Sequence, residues 1–484
     1  MVFPKKKNVH RTVCRIDRET KAVTAGVNFE DIDLTIEGEG SEVYDYEYHF
    51  VLHSQSSETA VTFELNNSTS YSRDFMQGRN TTASAFSGTS AFVGIAQSSQ
   101  SSYPSFNNGK ITGLIGNKRH VDEIASFSKI ASTNIIKESY YTSDTSTELT
   151  SIQFQSTSTA TITYTLVITA VPKIQYNPHA ILLKNLTLTN QTADIIFGGV
   201  NDTEGVEIDG ELYDIVVKSS GLDSTIDGYI NELVVADKTM QHMYNINGTL
   251  YSANIPETED FQIYPDSETC INAEVGRKNI STSTLNEQVA AQQVERYTTN
   301  PDTSTPMTSL LLRPSASVSG NIQLYAVPKG YNADLTPWTY RQVVDIAGDF
   351  SAGHSFEIPS DALFCKVDFV GEGADSYCFM GITFNNLTQT VDRQYLASST
   401  SSTTSAIQLG VNIFGYIRKV CDFSSLISLK NGSNRVCLSK YNANENSIGL
   451  NGLWIKDSSS IFETAQIKAS NSNTITGKLV CSFY

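Results

Sequence analysis

Histidine, cysteine and carboxylate are the side chains through which this chain could do chemistry, and their spacing favours none of the common schemes. The seven histidines, His10, His49, His53, His120, His179, His242 and His354, are scattered along the sequence. A Ser-His-Asp hydrolase of the elbow type presents its nucleophile in a Gly-x-Ser-x-Gly turn, and the sequence contains none. Isolated histidines of this kind read as surface or turn residues. His49 and His53 fall on one face of a strand, with Val51 between them. A zinc site there would need a third ligand that the sequence does not designate.

Carboxylates give two clusters. Asp202, Glu204, Glu207, Asp209, Glu211 and Asp214 form one; Glu37, Glu39, Glu42, Asp45 and Glu47 form the other. Hard cations take such oxygens from a turn, but neither cluster has the spacing of an EF-hand loop, so both read as solvated faces. A pair of carboxylates for glycoside hydrolysis leaves no local mark and stays open as a hydrolase hidden in one module. No phosphate-cradling glycine loop occurs. The expectation is a protein without cofactor, metal or catalytic residues, hence not an enzyme. The remaining candidate surface is aromatic: Tyr103, Tyr140, Tyr141, Trp338 and Tyr340, with Tyr71 and Tyr331, sit in polar stretches and could meet a receptor or partner.

The elements that must position these residues are legible from a recurrence. Ala170-Val171-Pro172-Lys173 and Ala326-Val327-Pro328-Lys329 each close a strand-like run, and a third such run, from Ile475 to Tyr484, ends the chain at a similar interval. A fixed recurrence predicts three copies of one unit: an N-terminal arm over 1–21, then modules over 22–173, 174–329 and 330–484. Ile-x-Gly-x-Ile/Leu appears once in each, at Ile111, Ile246 and Ile413, and is expected to mark equivalent strands. Thr62-Phe63 and Thr383-Phe384 suggest a second match between the outer copies. Short runs alternating polar and apolar residues, bounded by turn residues, predict antiparallel strands and an all-β fold of three tandem jelly-roll-like sandwiches. Helix is expected only over Leu285–Tyr297, where Thr284 and Glu287 form a capping box, and more weakly over Val121–Ala131.

Composition bounds the partners. At 484 residues, 39% of them hydrophobic, the chain can bury several cores. Its net charge of −17 disfavours nucleic acid, which requires cations to displace condensed counterions. The cations that exist are concentrated at the start: Lys5, Lys6, Lys7, Arg11, Arg15, Arg18 and Lys21 face only Asp17 and Glu19. That arm is expected to dock on an acidic partner. No apolar run is long enough to span a bilayer as a helix or to form a signal peptide, so neither membrane nor secretion is expected. Seven cysteines without Cys-x-x-Cys pairing predict free thiols made in a reducing cytosol.

The module endings, Thr308–Arg313 with Gly320–Ala326 and Thr150–Phe154 with Thr165–Ile168, resemble those of virion structural proteins of tailed bacteriophages, of the head-decoration, tail-fibre or tail-adaptor type. The resemblance implies β-sandwich modules assembled on the capsid or tail of a virion formed in host cytoplasm. It implies contact with other virion proteins and a homo-oligomer, a trimer among the options. It carries no catalytic residue. A carbohydrate-binding host-attachment protein that takes a host surface glycan is the alternative.

Overall fold

The computed structural model describes residues 10–79, 82–98, 104–113, 119–129, 132–142, 148–210, 212–231, 238–246, 249–257, 259–274, 277–284, 294–298, 307–328, 340–373, 380–385, 391–395, 402–404, 407–408, 419–429, 435–443, 448–455, 461–470, 472 and 474–484. Among them the chain is all-β, built from antiparallel sheets, with a single 3₁₀ turn at Ile174–Tyr176 and no α-helix.

The first segment holds β1 (Arg11–Val23), β2 (Asn28–Asp33), β3 (Tyr44–Gln55), β4 (Thr59–Leu65), β5 (Tyr71–Arg79), β6 (Thr82–Ser90), β7 (Val93–Ser98), β8 (Ser105–Gly113), β9 (Arg119–Lys129), β10 (Ser132–Thr142), β11 (Ser151–Ser156) and β12 (Ala160–Pro172). The second holds β13 (Ile181–Gln191), β14 (Ile195–Gly198), β15 (Tyr213–Ser220), β16 (Ile226–Ile230), β17 (Lys238–Ile246), β18 (Thr249–Glu257), β19 (Phe261–Ile263), β20 (Ser267–Glu274), β21 (Arg277–Thr284), β22 (Val294–Thr298), β23 (Ser309–Pro314) and β24 (Val318–Pro328). The third holds β25 (Tyr340–Asp349), β26 (His354–Glu357), β27 (Phe364–Gly373), β28 (Met380–Phe384), β29 (Val391–Tyr395), β30 (Ser402–Thr404), β31 (Ile407–Gln408), β32 (Lys419–Ser428), β33 (Arg435–Ala443), β34 (Ile448–Ile455), β35 (Thr464–Ala469) and β36 (Thr474–Phe483).

One strand order serves all three. The first segment forms an eight-stranded sheet, β1-β12-β3-β8-β9-β10-β5-β6, and a four-stranded sheet, β2-β11-β4-β7. The second repeats it as β13-β24-β15-β20-β21-β22-β17-β18 with β14-β23-β16-β19, and the third as β25-β36-β27-β32-β33-β34-β29-β30 with β26-β35-β28-β31. Alternation along β3 shows why the strands layer: Tyr44, Tyr46, Tyr48, Phe50 and Leu52 enter a core that also takes Phe63 from β4 and Phe154 from β11. Ile215, Val217, Ile226, Leu312 and Leu324 do the same in the second segment, and Val367, Ile382, Ile467 and Leu479 in the third.

A repeated asparagine latch ties the fourth strand to the eleventh. Asn66, Asn231 and Asn385 directly follow β4, β16 and β28, all at positive φ (49°, 54° and 51°). Asn66 Oδ1 accepts from the amides of Thr150 and Ser151, at 2.9 Å each. Asn231 Oδ1 accepts from Thr308 (2.8 Å) and Ser309 (3.4 Å), and Asn385 Oδ1 from Glu463 (2.9 Å) and Thr464 (3.2 Å). Asparagine suits the place because it tolerates the left-handed region and carries its own acceptor. The latch makes Leu65 the counterpart of Phe384, two residues away from the Thr62-Phe63 and Thr383-Phe384 match.

Four sequence expectations are corrected. Arg11 to Lys21 are not an arm outside the fold but most of β1, the edge strand paired with β12, so the first segment begins well before Ala22. Alternating charges misled: an edge strand carries them on its solvent face without ceasing to pair. Arg119–Lys129 is β9 and Val294–Thr298 is β22, strands where helix was expected, because cross-strand partners override local helical signals; residues 285–293 lie outside the described residues. Ile111–Gly113 ends β8, whereas Ile246 ends β17, so the Ile-x-Gly-x-Ile/Leu strands are not equivalent; the third copy, at Ile413, lies outside the described residues. Finally, the three modules expected in tandem are not three separate compact units. The chain divides into two compact units, one of Pro172–Ile246 with Leu250–Leu335, the other of His10–Val171 with Thr336–Tyr484, which joins the first and third segments.

Candidate functional site

The site with the most chemistry lies in the second of these units, where the first and third segments meet through their eight-stranded sheets. Strands at equivalent places touch: β5 with β29, β9 with β33 and β10 with β34. Unlike places touch too, β10 with β29 and β8 with β33, so the pairing is not a strict two-fold one. Its anchor is Phe364, fully buried, its ring stacked on Phe106 at 5.6 Å and 5.3 Å from the imidazole of His49. At the edge, Arg15 Nη2 donates to the Asp361 carbonyl at 2.7 Å and its guanidinium lies 5.8 Å from the centre of the Tyr484 ring. The Thr12 and Tyr484 hydroxyls are hydrogen-bonded to each other.

Beside that anchor the two sheets enclose a cleft of about 240 Å³. Strand register builds its walls. On the first segment Glu47, Lys110 and Asp122 stand in one row across β3, β8 and β9, and His49, Asn108 and Ile124 in the next. On the third, Lys366, Leu426 and Leu438 form the corresponding row across β27, β32 and β33, flanked by Ser424. One wall is therefore mostly ionic and amide, the other mostly aliphatic. Lys110 Nζ lies 3.4 Å from Asp45, and Lys366 Nζ lies 3.4 Å from Asp368. Burial pushes His49 down to about 4, with Lys366 acting the same way and Glu47 and the Asn108 hydrogen bond opposing, so its imidazole is neutral near pH 7. His53, its neighbour on the same face, is pushed down to about 3 by burial and by Arg18, and its Nε2 lies 2.8 Å from the Thr165 hydroxyl. Both were expected at the surface or in turns; both are buried, because the outer face of β3 is covered as well as the inner one.

Most of the residues singled out from sequence are elsewhere or otherwise engaged. Arg11 pairs with Glu37 at 3.1 Å, Arg15 with Asp17 at 3.6 Å, and Arg18 sits at φ 49° where β1 bulges. Lys5, Lys6 and Lys7 lie outside the described residues, as do Tyr103, Tyr331 and Trp338. Tyr140 is a correction: it is 1% exposed, its hydroxyl accepting from the Gly94 amide at 3.1 Å, so it offers no receptor surface. Tyr71 is equally buried, its hydroxyl accepting from the Leu65 amide at 2.9 Å. Both point inward because their strands alternate and the core side needs large rings. Tyr141 and Tyr340 lie in β10 and β25.

In the acidic loop, Asp202 accepts from the amides of Glu204 (2.8 Å), Gly205 (3.0 Å) and Val206 (2.7 Å), and Glu204 pairs with Lys184 at 3.2 Å. These carboxylates shape their own loop. Among the described residues no group of three or more His, Cys, Asp or Glu could hold a metal ion. Of the cleft residues only His49 and Glu47 stood out in sequence, each for another reason. Its other members on the first segment lie some 240 to 330 positions from those on the third, and no local pattern announces such a pairing.

No family model matches the chain, and no curated protein does. Two solved structures are similar to it at very low level, both from Pseudomonas aeruginosa. OccK7 (OpdD) is 8% identical over 91% of this chain and 98% of its own, with a TM-score of 0.10. OccK5 (OpdH) is 8% identical over 85% and 98%, with a TM-score of 0.09. Scores this low carry no argument about fold or function.

Proposed function

We propose that each segment is a jelly-roll sandwich and that the chain is a non-enzymatic structural protein of a tailed-phage virion, docked on the capsid or tail. One observation carries the reading. In each segment the first strand pairs with the twelfth, the second with the eleventh, the third with the eighth and the fourth with the seventh: β1–β12, β2–β11, β3–β8 and β4–β7 in the first. The same four pairings recur in the second segment and in the third. A long hairpin rolled on itself in this way is the jelly roll, an architecture of viral capsid and lectin domains. The strands left over, fifth with sixth and ninth with tenth, widen one sheet by hairpins. Widening supplies a broad outer face, and the first and third segments spend theirs on each other.

Docking then falls to the segment before β1, where Lys5, Lys6 and Lys7 give three cations to an acidic body. Further virion proteins and further copies of the chain are the partners of this reading. Antibody raised against the purified chain should decorate intact phage particles at a fixed place on head or tail in immunogold micrographs. Antigen confined to the unassembled fraction of the lysate would sink the proposal. Depolymerisation of host polysaccharide by the pure protein would replace it with the hydrolase reading.

A further inference from the structure

We infer that the cleft between the first and third segments binds a neutral saccharide of about one sugar ring, a role that goes beyond the structural one. The volume argues first. About 240 Å³ lies below the roughly 300–1,000 Å³ that drug-sized ligands occupy.

The walls argue second. The ionic row Glu47–Lys110–Asp122 places one ammonium between two carboxylates on adjacent strands, and Lys366 comes from the opposite wall. Positive and negative centres thus alternate at the spacing of neighbouring strands, about 4.8 Å. A carboxylate or an ammonium ion placed beside one centre meets the opposite sign on the next strand. A hydroxyl has no such difficulty, because it donates to a carboxylate and accepts from an ammonium in the same orientation. Asn108 and Ser424 add groups that do both. Facing them, Leu426 and Leu438 offer an aliphatic surface, with Ile124 beside Asn108. A pyranose has these two characters, an apolar face of C–H groups and a rim of hydroxyls.

Gly109 lets the polar wall lie close over the core. It lies in β8 between Asn108 and Lys110, and a Cβ there would meet the Tyr48 ring at 2.4 Å. The glycine thereby admits the core tyrosine beneath the row. Neutral His49 closes one end against the Phe364 ring.

The test uses the full chain. Saturation-transfer NMR against a panel of methyl glycosides of neutral hexoses should show transfer to at least one, strongest at ring C–H protons, and calorimetry then gives its affinity. Asp122→Ala and Lys366→Met alter half-exposed residues on opposite walls, and each should weaken binding about tenfold or more, the loss expected when a charge-assisted hydrogen bond is removed. An unchanged thermal transition in each variant separates lost contact from lost fold. Glycine and inorganic phosphate serve as zwitterionic and anionic probes. Absence of transfer to every glycoside overturns the inference. So does binding that both variants leave unaltered, or competition won by glycine or phosphate. None of these outcomes bears on whether the chain is found in particles.

Discussion

Replacing Asn66 by alanine tests the latch on which each segment closes. The side chain makes three strong contacts: Oδ1 accepts from the Thr150 and Ser151 amides, each at 2.9 Å, and Nδ2 donates to the Glu148 carbonyl at 2.5 Å. At about 1 kcal/mol net per hydrogen bond they contribute about 3 kcal/mol. Alanine must also hold φ at 49°, which costs about 1 kcal/mol more. Asn66→Ala should therefore destabilise its unit by about 4 kcal/mol, and Asn66→Gly, which adopts that φ freely, by about 3 kcal/mol. Equilibrium urea unfolding, followed by tyrosine fluorescence and with the two units resolved as separate transitions, reads both. If Asn66→Gly is as stable as the parent, the amide contacts are worth nothing and the latch is only a turn. If Asn231→Ala and Asn385→Ala lose nothing while Asn66→Ala does, the three places are not equivalent and the repeat argument weakens with them.

Phe364→Ala removes the anchor between the first and third segments and should cost about 3–5 kcal/mol, seen as a lowered transition of that unit in thermal unfolding; a shift below about 1 kcal/mol would mean the two sheets are not packed there. His49 has a folded pKa depressed to about 4 against about 6.5 unfolded, so its contribution is complete above pH 6.5, falls as the unfolded state takes up the proton, and is gone near pH 4. His49→Gln should accordingly flatten the stability profile between pH 6.5 and 4, by up to about 3 kcal/mol, and an unaltered profile would refute the burial argument. The Cys365 and Cys481 thiols are hydrogen-bonded to each other at 3.6 Å in the third core, with no disulfide between them, and burial pushes the Cys365 thiol up. Intact mass after denaturing alkylation should count both as free and native alkylation should spare them, whereas a native loss of two hydrogens would contradict this. Deleting residues 1–9 should leave unfolding unchanged, whereas deleting 1–23 should destabilise the unit by exposing β12; equal effects would show that β1 contributes nothing.

The all-β class was legible because strand-like alternation is local, and the threefold recurrence because β12, β24 and β36 carry large apolar residues at matching places. Leu166, Ile168 and Ala170 fill the first core as Leu324 and Ala326 fill the second and Leu479, Cys481 and Phe483 the third. The asparagine latch was equally present in the letters. It passed unseen because a lone Asn after a strand is common, and only its partners in the eleventh strand give it meaning. The cleft could not have been read at all. Glu47 and Lys366 hold corresponding places in rows of their respective sheets, yet what brings them together is packing between sheets, and packing leaves no period in the sequence.

Opposite residue types at one place in the repeat show how far the copies have diverged. In the first segment the outer row across the third, eighth and ninth strands reads Glu47, Lys110, Asp122; in the third it reads Lys366, Leu426, Leu438. In the second, Val216 stands beside Cys270 on β15 and β20. There Val216 and Tyr325 pack with Ile174 from the 3₁₀ turn, so the segment's own linker covers that part of the face. A face capped by its own chain needs no second sheet at that place. The first and third segments use theirs on each other, and the mismatch of an ionic row against an aliphatic one leaves a cleft where two matched apolar rows would have closed. The same fold thus yields one self-covered copy and one asymmetric pair, and the asymmetry is what makes room for a ligand.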